Sequence, residues 1–458
     1  MSVFASMKSQ AFRVLAAMLS LLLACAMLVA MPAKAMATET AASAPDTATA
    51  SIDYKDALNS SLAFILINTP APAVGSIGGE WAVLALARAG IQPGDTVNGV
   101  TMPSNYYSDY AARVLADATD SSPWYSPADS IIDNNKATEN ERVTLGLTAA
   151  GFDASQFGPY NLLLPLSDQG YATWQGNNAI TYALIALDSH NYALPTHPAA
   201  WAKASSRMSK DNTQSSRASL IKALLGNEAN KGTASAGGWV LGSVGTNPDV
   251  DTTAMAIQAL APYYTDPDYP DVKPAVDRAL TWLSNKQQDN GQFSFDTSGA
   301  ASESSAQVVV ALSALGIDPA ADARFVKNGT SVLDAMMQFY VEGSGFKHLL
   351  AGNVDAMATE QCAYALVAYD RFVNHQNRLY DMTNTQLTVI KDPTAAAPGS
   401  GDIYGEGHAT MSGALAVAQV VIGGGTELTP QQFAAADIDG DGTLTMADVI
   451  LILTQASA

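Results

Sequence analysis

The chain has 458 residues and is acidic, with 43 Asp and Glu against 23 Lys and Arg and a formal charge of −20. That balance argues against nucleic acid or an anionic membrane surface as a partner, because both require a basic face. Charged residues make up only 14% of the chain, against about 25% in ordinary domains. A large apolar interior is therefore expected beneath a surface of Ser, Thr, Asn and Ala.

Residues 1–37 have the composition of a secretory signal. Lys8 and Arg13 open it, the stretch from Val14 to Met31 carries no charge, Pro32 breaks it, and Ala33, Ala35 and Ala37 offer cleavage positions. A secreted or cell-surface protein is expected, and loss of Lys8, Arg13 and Lys34 would take the formal charge from −20 to −23. No later stretch is long and apolar enough to span a membrane. Cys25 leaves with the signal, so Cys362 is the remaining cysteine. It stands in an Ala-rich helical run with no histidine nearby in sequence, and a buried structural thiol is expected. Residues 38–51 are rich in Ala, Thr, Ser and Pro and read as a disordered lead-in.

Residues 52–391 repeat one pattern. An Ala-rich, nearly all-apolar helix recurs around Trp81–Leu86, Val143–Leu147, Thr181–Leu187, Ala254–Leu260, Ala306–Leu312 and Ala363–Tyr369. Gly90, Gly151 and Gly316 follow three of these as helix stops. Amphipathic helices lie between them, at residues 54–67, 106–117, 217–225, 272–287 and 330–340. A weaker sixth around 160–167 contains Pro165. Turns that couple glycine with an aromatic residue precede several inner helices, as in Gly237-Gly238-Trp239, Gly291-Gln292-Phe293-Ser294-Phe295 and Gly345-Phe346. Helices apolar on all sides need cover on all sides. A closed ring of about six helix pairs supplies it, whereas an open stack needs polar terminal repeats, which this sequence lacks.

The glycine–aromatic turn followed by an Asp/Ser/Thr-led, Ala-rich helix resembles the repeat of the α/α-toroid superfamily. That superfamily includes terpenoid cyclases, protein prenyltransferase β-subunits, complement thioester domains and cobalamin carriers. The resemblance implies an all-α toroid over residues 52–391. Pro248-Asp249-Val250-Asp251-Thr252-Thr253-Ala254 is similar to the Asp-x-Asp-Asp-Thr-Ala motif of class II terpene cyclases, with Asp251 at the proton donor's position and Thr252 replacing the last acid. Capping of the helix by Asp251 or Thr252 is the simpler reading of the same residues. The zinc set of prenyltransferases and the thioester motif are both missing from the sequence. The carrier-like reading remains, with Trp174, Trp239, Phe293, Phe295 and Phe346 as aromatic candidates for the rim of a ligand site. His348 could face the central depression, although a plain loop histidine is the preferred reading of its place in sequence. Asp249, Asp251, Glu303 and Glu360, near inner-helix starts, are the carboxylates to test if the toroid is instead a glycan-active hydrolase or lyase.

Residues 392–401 have linker composition, and residues 402–458 form a second small module. Asp437, Asp439 and Asp441 hold positions 1, 3 and 5 of a twelve-residue EF-type loop. Gly442 stands at the turn, Thr443 offers a carbonyl, and Asp448 closes the loop. Calcium is the expected ligand. Asp at the twelfth position and the Ile/Leu run after it resemble a dockerin type I repeat. The partner repeat is degenerate: Asp402 and Glu406 remain, but Tyr404 and Gly413 replace ligands. Met411, Ser412, Met446 and Ala447 stand where dockerins present residues to cohesins, so the resemblance implies a cohesin-like surface partner. The expectation is thus a non-catalytic toroid that binds a small molecule or glycan, attached through calcium. A secreted glycan-active enzyme and a terpene cyclase-like enzyme using Asp251 are the alternatives.

Overall fold

A computed structural model describes residues 53–119, 130–133, 136–197, 213–294, 299–391, 398–424, 428 and 430–457. The expected signal and lead-in fall outside the described residues, as does Phe295.

In chain order the helices are α1 (Tyr54–Asn68), α2 (Trp81–Arg88), α3 (Tyr106–Thr119), α4 (Ala137–Ala150), α5 (Gln169–Ala172), α6 (Asn177–Ser189), α7 (Arg217–Gly226), α8 (Val250–Leu260), α9 (Val272–Lys286), α10 (Ser302–Ala314), α11 (Val332–Met337) and α12 (Ala356–Val373). Helices α13 (Met411–Val421), α14 (Pro430–Ala436) and α15 (Met446–Ala456) follow. The inner helices α2, α4, α6, α8, α10 and α12 each pack on the next, and α12 returns to α2, closing the ring. Alanines make the close approach possible: Ala82, Ala85, Ala183, Ala186, Ala254, Ala256, Ala306, Ala311, Ala363 and Ala365 are all fully buried. Helices α1, α3, α7, α9 and α11 lie on α12, α4, α6, α8 and α10 respectively. Gly146 serves the same purpose on α4, since a Cβ there would meet the Tyr110 hydroxyl of α3 at 2.5 Å.

The sixth outer position holds no regular helix. A 3-10 turn, Pro165–Ser167, and the single turn α5 fill it. Pro165 opens the 3-10 turn, where its missing N–H is not needed, and an α-helix running through it would lose a bond. The all-α expectation also omitted a parallel pair of strands, Phe152–Gly158 with Thr388–Lys391, which ties the chain after α4 to the segment after α12. Two short antiparallel pairs, Thr96–Val97 with Val100–Thr101 and Val326–Lys327 with Thr330–Ser331, make hairpins.

The glycine–aromatic turns have a repeated fastening. The Trp239 N–H donates to Thr253 Oγ1 at 3.0 Å, and the Phe346 N–H donates to Thr359 Oγ1 at 2.9 Å. Each turn is thereby tied to the first turn of the inner helix that follows it. Gly237 has φ +114°, and a Cβ there would lie 2.5 Å from the Arg278 carbonyl oxygen. Only glycine fits both conditions.

A second, smaller core of Ile403, Ala409, Ala414, Val417, Ala436, Val449 and Ile452 holds α13, α14 and α15 together. Among the described residues no helix is long and apolar enough to cross a membrane.

Candidate functional site

All six inner helices start at one end of the ring, and carboxyl groups collect there: Glu80, Glu139, Glu141, Asp249, Asp251, Glu303 and Glu360. Asp249 is the N-cap of α8, with extended backbone (φ −111°, ψ 162°), and its carboxylate accepts from the Thr252 N–H at 2.7 Å. The expected cap at Asp251 or Thr252 is thus corrected. The helix begins at Val250, so Asp251 lies in its first turn and its side chain is free for other work.

Asp251 lies near Glu303, Ser304 and His348. Its Oδ1 is shut off from solvent with no hydrogen-bond partner among the described residues. Burial, with Asp249 and Glu303 adding repulsion, pushes its carboxyl up to about 7 against the opposing effect of Ser304 and His348. His348 Nδ1 is 2.9 Å from both Glu303 oxygens, and its side chain is half-exposed, so the cluster meets solvent there. Burial raises Glu303 as well, despite that imidazole. His348 is therefore a partner of the cluster and not an isolated loop residue.

On the far side of the ring Arg142 bonds Glu139 and approaches Glu80 at 3.6 Å. Glu80 accepts from the Gly75 N–H at 3.0 Å and from the Tyr110 hydroxyl at 3.1 Å. Glu141 is wholly buried with neither oxygen bonded among the described residues, and burial drives its carboxyl well above the ordinary range. Glu360 accepts from the Gly78 N–H at 2.9 Å, and burial first, then Glu80 and Asp355, push it up to about 8. Trp81 joins the two sides. Its ring lies 5.6 Å from that of Tyr182 and 5.8 Å from that of Tyr364. Tyr364 receives a bond from Gln307, which is in turn bonded by Gln258.

The aromatic candidates separate. Trp174 is 49% exposed, just ahead of α6. Trp239, Phe293 and Phe346 are fully buried in the core, with Trp239 Nε1 donating to the Leu224 carbonyl at 2.8 Å. They hold the turns onto the inner helices and do not form a rim. Residue type could not reveal this, since a packed turn and a ligand wall both call for aromatic side chains. Trp81, Tyr182, Glu141 and Arg142 escaped the sequence reading. The one available signal was Glu139-Asn140-Glu141-Arg142, too charged for an inner-helix start. Cys362 is buried, and burial raises its thiol well above the ordinary range.

In the C-terminal module, carboxylate oxygens of Asp437, Asp439 and Asp441 all lie within 4.8 Å of one another. Asp437 accepts from the N–H groups of Asp441 (3.1 Å) and Gly442 (3.0 Å), and Asp448 accepts from those of Ile438 and Thr445. These bonds fold the loop around one point, and hard oxygen donors so gathered suit calcium. The earlier loop copies the backbone: Asp402 accepts from Glu406 and Gly407 N–H, each at 2.6 Å. A Cβ at Gly413 would meet Ile403 Cγ1 at 2.9 Å, so packing fills the place of a twelfth-position ligand. Met411 and Met446 are 64% and 49% exposed, on α13 and α15. Ser412 is exposed beside Met411 and Ala447 beside Met446.

No family model and no curated protein matches the chain. Among solved structures it is similar to ent-copalyl diphosphate synthase from Streptomyces platensis, at 17% identity, over 63% of this chain and 49% of that one, with a TM-score of 0.35. It is also similar to Candida albicans protein geranylgeranyltransferase-I complexed with GGPP, at 10% identity, over 70% of this chain and 92% of that one, with a TM-score of 0.38. The chain spans about half the length of the synthase it matches. Both neighbours are α/α-toroid folds of the terpenoid cyclase and prenyltransferase type, at low TM-score.

Proposed function

We propose that this chain is an exported binding protein. The ring takes a small molecule where its inner helices start, and the C-terminal module holds calcium and attaches the protein to a cohesin-like partner. The observation that carries the first half is Asp251, a buried carboxyl with an oxygen unbonded among the described residues, beside buried Glu303 and its half-exposed partner His348. A carboxyl at about 7 is half protonated in neutral solution, so it either donates to or accepts from a ligand. The surrounding carboxyl groups Asp249 and Glu303 oppose a diphosphate and favour a neutral or cationic polar group.

Native mass spectrometry of the whole chain, purified from its own host, tests the reading. A retained small molecule that is lost in Asp251→Asn supports it, and a ligand-free wild type opposes it. For the module, Asp437, Asp439, Asp441, Asp448 and the Thr443 carbonyl would hold the ion. Met411, Ser412, Met446 and Ala447 would face the partner. Capture of a surface protein by the full chain, abolished by chelator and by Met411→Asp with Met446→Asp, is the expected result.

A second reading is acid chemistry at Asp251, favoured by its raised carboxyl and by the adjacent Glu303–His348 pair. Cyclised product from squalene, or reducing sugar from a polysaccharide panel, would place the chain among enzymes.

A further inference from the structure

At the opposite end of the ring, the C-terminal ends of α6, α8, α10 and α12 surround a cleft of about 1170 Å³. Residues 378–383 form one wall and are strapped in place. Arg88 donates to the carbonyls of Leu379 (2.7 Å), Arg378 (2.9 Å) and Asp381 (2.8 Å), and the Met382 N–H donates to Ser189 O at 2.7 Å. The cleft is therefore preformed.

Its charges are mixed and partly engaged. Arg217 bonds Asp188 at 2.6 Å, the Tyr263 hydroxyl donates to the same carboxylate at 2.7 Å, and Arg378 lies close enough to Asp188 and Asp381 to favour their ionised forms. Neither an anion nor a cation would find a wall of one sign. Three neutral side chains in the cleft lining each carry a polar atom that reaches neither solvent nor a hydrogen-bond partner among the described residues: Gln258 Oε1, Ser313 Oγ and Tyr380 Oη. Gln258 and Ser313 are only 4% and 6% exposed, on adjacent helices. A buried polar atom left unbonded costs about 1–3 kcal/mol, and each one calls for an explanation. An ordinary staggered rotation brings a serine hydroxyl to a new partner. Tyr263, Phe372 and Tyr380 add aromatic surface to the same walls.

We infer that this cleft is a second binding site, for a neutral polyhydroxyl ligand of the saccharide class. Once side-chain rotation turns them toward the cleft, Gln258 Oε1 accepts from sugar hydroxyls and the Ser313 and Tyr380 hydroxyls exchange bonds with them in either direction. Aromatic rings accept the apolar faces of pyranoses, and the volume admits an oligosaccharide. The cleft opens at the other end of the ring from Asp251, and the Gln258–Gln307–Tyr364 chain of hydrogen bonds connects its wall to the aromatic residues nearer that site.

Calorimetric titration of the whole chain in calcium with maltotriose, cellotriose and chitotriose tests it. Wild type should bind at least one with millimolar affinity or better, and Ser313→Ala and Tyr380→Phe should each weaken that binding at least fivefold. Both variants remove a hydroxyl without a protein partner, so their thermal midpoints should equal or exceed that of wild type. Binding of none of the three sugars, or binding untouched by both substitutions, overturns the assignment.

Discussion

Asp251 should make the toroid less stable as pH rises, and replacing it with Asn should remove that dependence. The folded chain keeps this proton up to about pH 7, whereas an unfolded chain releases an Asp proton near about 3.9. Between those values the native state binds more protons than the unfolded one, so stability falls with rising pH. The loss begins near the unfolded value and is complete above the folded one. Roughly three pKa units at about 1.36 kcal/mol each give a total of about 4 kcal/mol. About 3 kcal/mol of this should appear between pH 5 and pH 8. Glu360, pushed up to about 8, acts in the same direction. Wild type and Asp251→Asn share Glu360, so the difference between them isolates Asp251. Urea unfolding of both proteins at the two pH values measures it. Wild type should lose about 3 kcal/mol relative to the variant on going to pH 8. Parallel pH curves would refute the idea that Asp251 is held protonated by burial.

Asp249→Ala should cost about 1 kcal/mol, because it removes the cap on α8, and thermal unfolding reads this directly. Gly237→Ala should destabilise by about 3 kcal/mol, combining a forbidden φ with a Cβ driven against the Arg278 carbonyl; urea midpoints check it. Calorimetric titration with calcium should give one tight site per chain. That site should be abolished by Asp437→Ala and kept by Asp402→Ala, since Gly413 leaves no ligand and no room in the earlier loop.

The ring was legible in the sequence because its logic is repeated six times. Small side chains mark the inner helices, and Gly90, Gly151 and Gly316 do stop them, with φ of +84°, +89° and +74°. Closure also followed from composition, since helices apolar on every side leave no repeat suited to an open end. What stayed hidden depended on direction and not on residue type. Asp249 and Asp251 are two positions apart, yet one caps the helix from outside while the other enters the interior, and a shift of one residue in the helix start would have exchanged their surroundings. The turn aromatics were recognised, but their burial depends on the threonine hydroxyls of the next helix, more than ten residues further on. The pairing of residues 152–158 with 388–391 spans most of the toroid, and neither segment alternates strongly enough to announce a strand. The cleft at the far end was beyond reach for a related reason: Gln258, Ser313 and Tyr380 are single polar residues in otherwise apolar or irregular runs, and only the parallel arrangement of the inner helices brings them together. The repeat that makes the scaffold readable thus also conceals its chemistry, because each helix contributes one or two departures from the pattern and the ring assembles them at its two ends.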